Sequence, residues 1–207
     1  MCGIAGIIDI EHNVQSSHLD SMIAPIKYRG PDGYGTEVLS DNLVGLAHQR
    51  LSILDTRNVG RQPMVSPCQR YWIVFNGEIY NYLELRAELE AAGLTFRTKT
   101  DTEVLIQAYI KWGARCLDRF IGMFAFAIWD CERKELFAAR DRLGIKPFYY
   151  HCDSTKFIFG SEIKSILAVV EEKMQVDVSL IDAYMDFGYV PGEETLHRGI
   201  KRLLPGH

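Results

Sequence analysis

Cysteine stands at position 2 of the 207-residue chain, directly after the initiator methionine. A side chain this small allows the methionine to be trimmed, which would leave one residue carrying both a thiol and a free α-amine. An α-amine titrates near ~7.7–8.0. At neutral pH it can therefore take a proton from the neighbouring thiol or from water, work that a histidine does at other cysteine nucleophiles. The plainer reading is that Cys2 begins an apolar edge strand, and for this residue taken alone that reading stands ahead. Cys68, Cys116, Cys131 and Cys152 are widely spaced, and the five cysteines contain no C-x-x-C pair. That argues against a disulfide framework and a zinc site, and leaves these four as inert thiols or small core residues in a reducing cytoplasm. No His/Cys cluster has metal-ligand spacing, so no metal is expected.

Composition narrows the rest. Lys and Arg number 23 against 27 Asp and Glu, a formal charge of -4, and 47% of residues are hydrophobic. Such a chain has ample material for a packed core and no general attraction to nucleic acid or an anionic membrane surface. The longest apolar run, Phe120 to Trp129, is too short to span a bilayer and reads as a core strand. The apolar opening lacks a basic leader, and Asp9 and Glu11 follow closely, so no signal peptide is expected.

The elements that must position any site read as strands at Ile4–Ile8, Leu43–Ala47, Tyr71–Phe75, Met123–Trp129, Leu136–Arg140, Phe148–His151 and Phe157–Gly160. Helical patterns fall at Asp20–Lys27, Tyr82–Ala92, Thr102–Trp112 and Ser179–Phe187. Asn81 with Glu84, and Thr100 with Glu103, have capping-box spacing. Several strands in succession late in the chain suit an α+β protein of mainly antiparallel sheets covered by helices. Gly30-Pro31-Asp32-Gly33-Tyr34-Gly35 matches no phosphate-binding loop and reads as a tight, Pro-fixed turn. Asn76-Gly77, taken alone, reads as a hairpin turn.

Six ordered motifs change these odds. Cys2-Gly3-Ile4-Ala5-Gly6 resembles the start of the class II glutamine amidotransferases, which are N-terminal-nucleophile hydrolases. Arg29-Gly30-Pro31-Asp32-Gly33, His48 to Ile53, Phe75 to Asn81, Thr100 to Glu103, Ala139 to Pro147 and Gly160 to Lys164 resemble one branch, the glutamine-dependent asparagine synthetases. The resemblance covers nearly the whole chain. It implies a four-layer αββα sandwich of two mainly antiparallel sheets. Residues 1–189 would form the glutaminase domain, and residues 190–207 a truncated lead-in to an absent ATP-dependent synthetase domain.

The resemblance also implies roles. Cys2 would attack the side-chain amide of L-glutamine, and the Asn76 amide with the Gly77 N–H would form the oxyanion hole. Arg50 would clamp the substrate carboxylate, its planar fork suiting that bond better than lysine. Asp101 and Glu78 would hold the ammonium, backbone groups of Leu51 and Ile53 would fix the pose, and Arg29 would support the site. Outside a site, Arg50 would be a surface ion pair, Asp101 a first-turn helix acid and Glu78 a solvated turn carboxylate. Asp141, Arg142 and Lys146 read as a packed loop network or a contact to the missing domain, outside the catalytic set. The implied products are glutamate and ammonia. No cofactor is expected in this chain, ATP and Mg belonging to the absent domain, and a homodimer is what relatives often form. Two alternatives stay open: a related amidotransferase with another ammonia acceptor, and a silent glutamine-binding module. A histidine base, His48 being nearest a motif, is a third reading of the thiol chemistry.

Overall fold

The computed structural model describes residues 1–55, 57–171 and 173–207. Its strands are β1 (Gly3–Asp9), β2 (Gly33–Leu39), β3 (Val44–Arg50), β4 (Met64–Val65), β5 (Tyr71–Ile79), β6 (Gly122–Asp130), β7 (Glu135–Arg140), β8 (Tyr149–Cys152), β9 (Lys156–Gly160) and β10 (Ile200–Arg202). The helices are α1 (Ser16–Ile23), α2 (Tyr82–Ala91), α3 (Asp101–Trp112), α4 (Ile163–Leu167) and α5 (Ile181–Phe187). Among the described residues the strands form two sheets, ordered β10-β8-β9-β1-β3-β2 and β4-β5-β6-β7, with antiparallel neighbours throughout.

Period-two alternation builds the layers. Along β5 and β6, Ile73, Phe75, Phe124, Phe126 and Ile128 pack with Leu85 and Leu89 of α2 and Val104 and Leu105 of α3. Their neighbours Val74, Ala125, Ala127 and Trp129 turn the other way, onto Ile4, Val44, Leu46 and Phe159 of the larger sheet and Phe148 just before β8. On that sheet's far face, Ala5, Ile7 and Ala47 pack against Leu19 and Met22 of α1 and Ile166 of α4. Three apolar layers thus separate four structural ones, and the αββα sandwich follows. Among the described residues, no helix is long and apolar enough to cross a membrane.

Some local expectations give way. The first helix begins earlier, at Ser16, and Pro25, which lacks an N–H, turns Ala24–Arg29 into a 3-10 segment. Gly33 to Gly35 belong to β2, so the turn is confined to the residues before it. Asn81 does not cap α2: its side chain donates to the Arg119 carbonyl and accepts from the Ile121 N–H, each at 3.0 Å. The Thr100 hydroxyl does accept from the Glu103 N–H at 3.2 Å, while the Glu103 carboxylate is taken by the Arg97 and Thr98 N–H groups. Within the stretch set apart as a lead-in, Ile200–Arg202 adds an edge strand to the larger sheet by pairing with β8.

Candidate active site

The inward-facing positions of three strands change from apolar to polar at one end of the sandwich. Cys2 has the parity of Ile4, His48 and Arg50 that of Val44 and Leu46, and Asn76 and Glu78 that of Val74. The β1–β3 register, with Gly3 opposite Gln49, sets Cys2 beside the end of β3. These side chains line one cavity of about 150 Å³ together with Leu51, Gln62, Asp101 and Lys146. That is below the ~300–1,000 Å³ of drug-sized clefts and suits a small metabolite.

The Cys2 sulfur accepts from the Leu51 N–H at 3.3 Å and donates to the Leu51 carbonyl at 3.6 Å. Burial holds the thiol above its ordinary value, with the Leu51 N–H, the terminal amino charge and Arg50 pulling it back. The resting group is therefore a thiol that needs a base. Arg29 grips the same residue from behind, its Nε donating to the Cys2 carbonyl at 3.0 Å while its Nη1 pairs with Glu162 at 2.7 Å.

Asn76 and Gly77 lie inside β5, so the hairpin reading is corrected: Gly77 sits opposite Phe124 in the β5–β6 ladder. No β4 residue pairs with β5 beyond Ile73, which leaves an edge. On that edge the Phe75 N–H donates to Gln62 Oε1 at 2.6 Å and the Ile79 N–H to Asp101 Oδ2 at 3.1 Å. Alternation puts the Gly77 N–H on the same edge, between those two. A Cβ at Gly77 would lie 2.3 Å from the Met123 carbonyl, so only glycine fits. The Asn76 side chain is fully buried, and neither amide atom has a partner among the described residues. Groups like these are rare unless a ligand answers them.

The charged groups stand apart from one another. Arg50 donates to the Arg57 carbonyl at 3.0 Å and the Asp55 carbonyl at 2.6 Å, and among the described residues its fork has no further partner. Gly60 allows this placement, since a Cβ there would lie 2.6 Å from Arg50 Nη2. Burial, with Glu78 adding to it, pushes the Asp101 carboxyl up to about 6 against the pull of the Ile79 and Thr102 N–H groups. Burial lowers His48 to about 3, and this neutral imidazole donates from Nε2 to the Phe75 carbonyl at 3.2 Å. It joins the two sheets and makes no hydrogen bond to the sulfur.

The structure thus gathers Cys2, Arg50, Leu51, Ile53, Asn76, Gly77, Glu78 and Asp101 around one cavity, with Arg29 behind Cys2. Ile53 stands at the rim, 67% exposed. The Leu51 N–H and carbonyl both face the Cys2 sulfur. Gln62, Gly60, Thr102 and Lys146 were not anticipated in the site. Lys146 and Thr102 carried a signal, their places in the Ala139–Pro147 and Thr100–Glu103 motifs. The neighbouring Asp141 and Arg142 do form the expected loop network, Asp141 accepting four backbone N–H groups and Arg142 donating to the Phe120 and Leu117 carbonyls.

Comparison with known proteins gives the family. The chain is 42% identical over 213 residues to the glutamine-hydrolyzing asparagine synthetase 3 of Bacillus subtilis (strain 168), and 41% identical over 210 residues to asparagine synthetase 1 of the same organism. Both matches take in 100% of this chain but 34% and 33% of the relatives, so the chain spans about a third of their length. A solved glutamine phosphoribosylpyrophosphate (PRPP) amidotransferase from B. subtilis shares the fold, with TM-score 0.68 and 21% identity over 81% of this chain and 43% of that one. The glutamine amidotransferase domain family matches residues 1–207. The chain belongs to that family, and it is homologous to the N-terminal third of glutamine-hydrolysing asparagine synthetases.

Proposed function

We propose that the chain is the glutaminase part of an asparagine synthetase, with Cys2 as nucleophile. The observation that carries this reading is the unanswered pair on β5: a buried Asn76 amide and a Gly77 N–H on an open edge, both at the cavity that holds the Cys2 sulfur. Donors fixed in a closed site before charge develops are what acyl transfer requires. Arg50 suits the substrate carboxylate, and the buried Asp101, which has no cationic partner among the described residues, suits its ammonium.

Removal of Met1 frees the α-amine of Cys2, which takes the thiol proton as sulfur attacks the amide carbon. The oxygen's charge goes to Asn76 and Gly77, and the α-amine passes the proton to the departing nitrogen. Ammonia leaves, and water hydrolyses the γ-glutamyl thioester to glutamate and free thiol. Transfer of ammonia to aspartate, and the ATP and Mg it uses, fall to the remaining two thirds of a longer protein, toward which residues 190–207 lead. A thiol nucleophile among free cysteines suits a reducing cytoplasm.

The test is ammonia release from glutamine by the purified protein, paired with its intact mass. We expect loss of Met1 and no turnover in Cys2→Ala, with glutamine binding retained in that variant by calorimetry. An active Cys2→Ala variant overturns the mechanism. Glutamine binding without ammonia release in the wild type would leave only a binding module.

A further inference from the structure

Lys146 is buried at the active-site cavity. Its residue exposure is 5%, and it lines the same cavity as Cys2. Among the described residues no carboxylate pairs with its Nζ, whose hydrogen-bond partner is the Met1 thioether sulfur at 3.4 Å. A thioether is a weak acceptor, and a buried cation without a strong partner lowers stability. Its position is tightly held nonetheless. The Lys146 carbonyl accepts from Arg140 Nε at 2.7 Å and its N–H donates to Asp141 Oδ2 at 3.0 Å. A rigid loop thus presents the ammonium to the cavity.

We propose that Lys146 is a positioning residue that acts on Cys2 through its charge, favouring the thiolate and thereby raising the fraction of ready nucleophile at neutral pH. The proposal rests on Cys2 being the nucleophile. A cation lowers the proton affinity of nearby basic atoms, so the sulfur and the α-amine that trimming exposes both release protons at lower pH. The opposing influence is burial, which holds the thiol protonated. Several charged groups share this space. Arg29 acts on Lys146 from the 3-10 segment, Asp141 from its own loop and Glu78 from β5, while Arg50 and Asp101 act on the sulfur. Burial and Arg29 pull Lys146 toward its neutral form, and Cys2, Asp141 and Glu78 pull it back toward the cation. Methionine trimming would remove the thioether contact and leave the nitrogen facing the new terminus. A charge retained at a cost in stability, at the cavity of the nucleophile, marks function over packing.

The test uses the purified full-length protein. Alkylation of Cys2 by iodoacetamide is followed across pH by peptide mass spectrometry, which separates it from the other four cysteines. In Lys146→Met we expect the alkylation midpoint to rise by about 1 pH unit or more. We also expect kcat to fall about tenfold, KM to change less than twofold and Tm to rise. Lys146→Arg should restore the midpoint. An unchanged midpoint in Lys146→Met overturns the proposal, and so does a lower Tm with no midpoint shift, which marks packing alone. Should Lys146→Met fail to fold, Lys146→Gln is read the same way. Alkylation needs no turnover, so its midpoint reports on Lys146 even if the glutaminase mechanism fails.

Discussion

Strand β5 is saturated at one end and open at the other. At its start, Trp72 and Ile73 are flanked by β4 and β6. Beside them Asp130 accepts two bonds from Arg70, at 2.8 and 2.6 Å, which hold its carboxyl below the ordinary range. At the other end an edge lacks a neighbouring strand, the Asn76 amide is unanswered, and burial pushes Asp101 up to about 6. Burial raises both carboxyls and is the leading cause at Asp101, whereas the bidentate Arg70 outweighs it at Asp130. The first end holds the fold together. The second keeps groups whose partners must arrive from outside, which is what a binding site is.

Breaking this contrast should produce graded effects. Asn76→Ala is expected to lower kcat by ~10²–10³ with little change in Tm, because the lost amide has no partner among the described residues. Steady-state kinetics and a melt check both halves, and a collapsed Tm would show that Asn76 serves folding. Asp101→Asn should raise KM for glutamine about 100-fold, as expected when the partner of a buried charge is removed. Its Tm should be unchanged or higher, since the variant relieves a buried carboxylate.

The pH dependence sharpens the contrast further. Below about 6 Asp101 becomes protonated, so KM should rise roughly tenfold per unit of acidification, and this inflection should vanish in Asp101→Asn. The stability signs are opposite. Asp101 has a raised value, so the folded state binds more protons, and its contribution to stability declines as pH rises from the ordinary carboxylate range to about 6. Asp130 has a depressed value, so its contribution is present above that range and is lost on acidification. Denaturant titrations at several pH values separate the two. The smallest effect on turnover is expected from Arg70→Ala, which should lower Tm and leave kcat within about twofold.

Much of the fold was legible because it depends on neighbours in the chain. Short β-branched or aromatic runs bounded by turn residues marked seven of the strands, and Thr100 marked the start of α3. The strands that escaped, β2, β4 and β10, are Gly-rich or very short, and their pairing partners decide them. Asn81 failed as a cap because Arg119 and Ile121, distant in sequence, offered its side chain better bonds. Asn76-Gly77 reads locally as a turn, yet β6 on one side makes it a strand. Among the site residues, Cys2, Arg50 and Asp101 were visible through motif resemblance. Gln62 had no local mark, since its task is to answer the Phe75 N–H thirteen residues away.

By itself, then, the amino-acid order determined the chemistry available: a thiol one residue from the chain start, a planar cation at Arg50, carboxylates at Glu78 and Asp101, and apolar rhythms that close a layered core. Tertiary structure alone decided which of these groups meet and in what state. Side-chain parity is local, but the end of the sandwich where inward positions turn polar is shared by strands as distant as β1 and β5. Only their register brings Cys2 to Leu51, 49 residues on, and leaves the Gly77 edge uncovered. Charge state follows the same rule, because a carboxylate or an ammonium responds to the burial and partners that folding supplies.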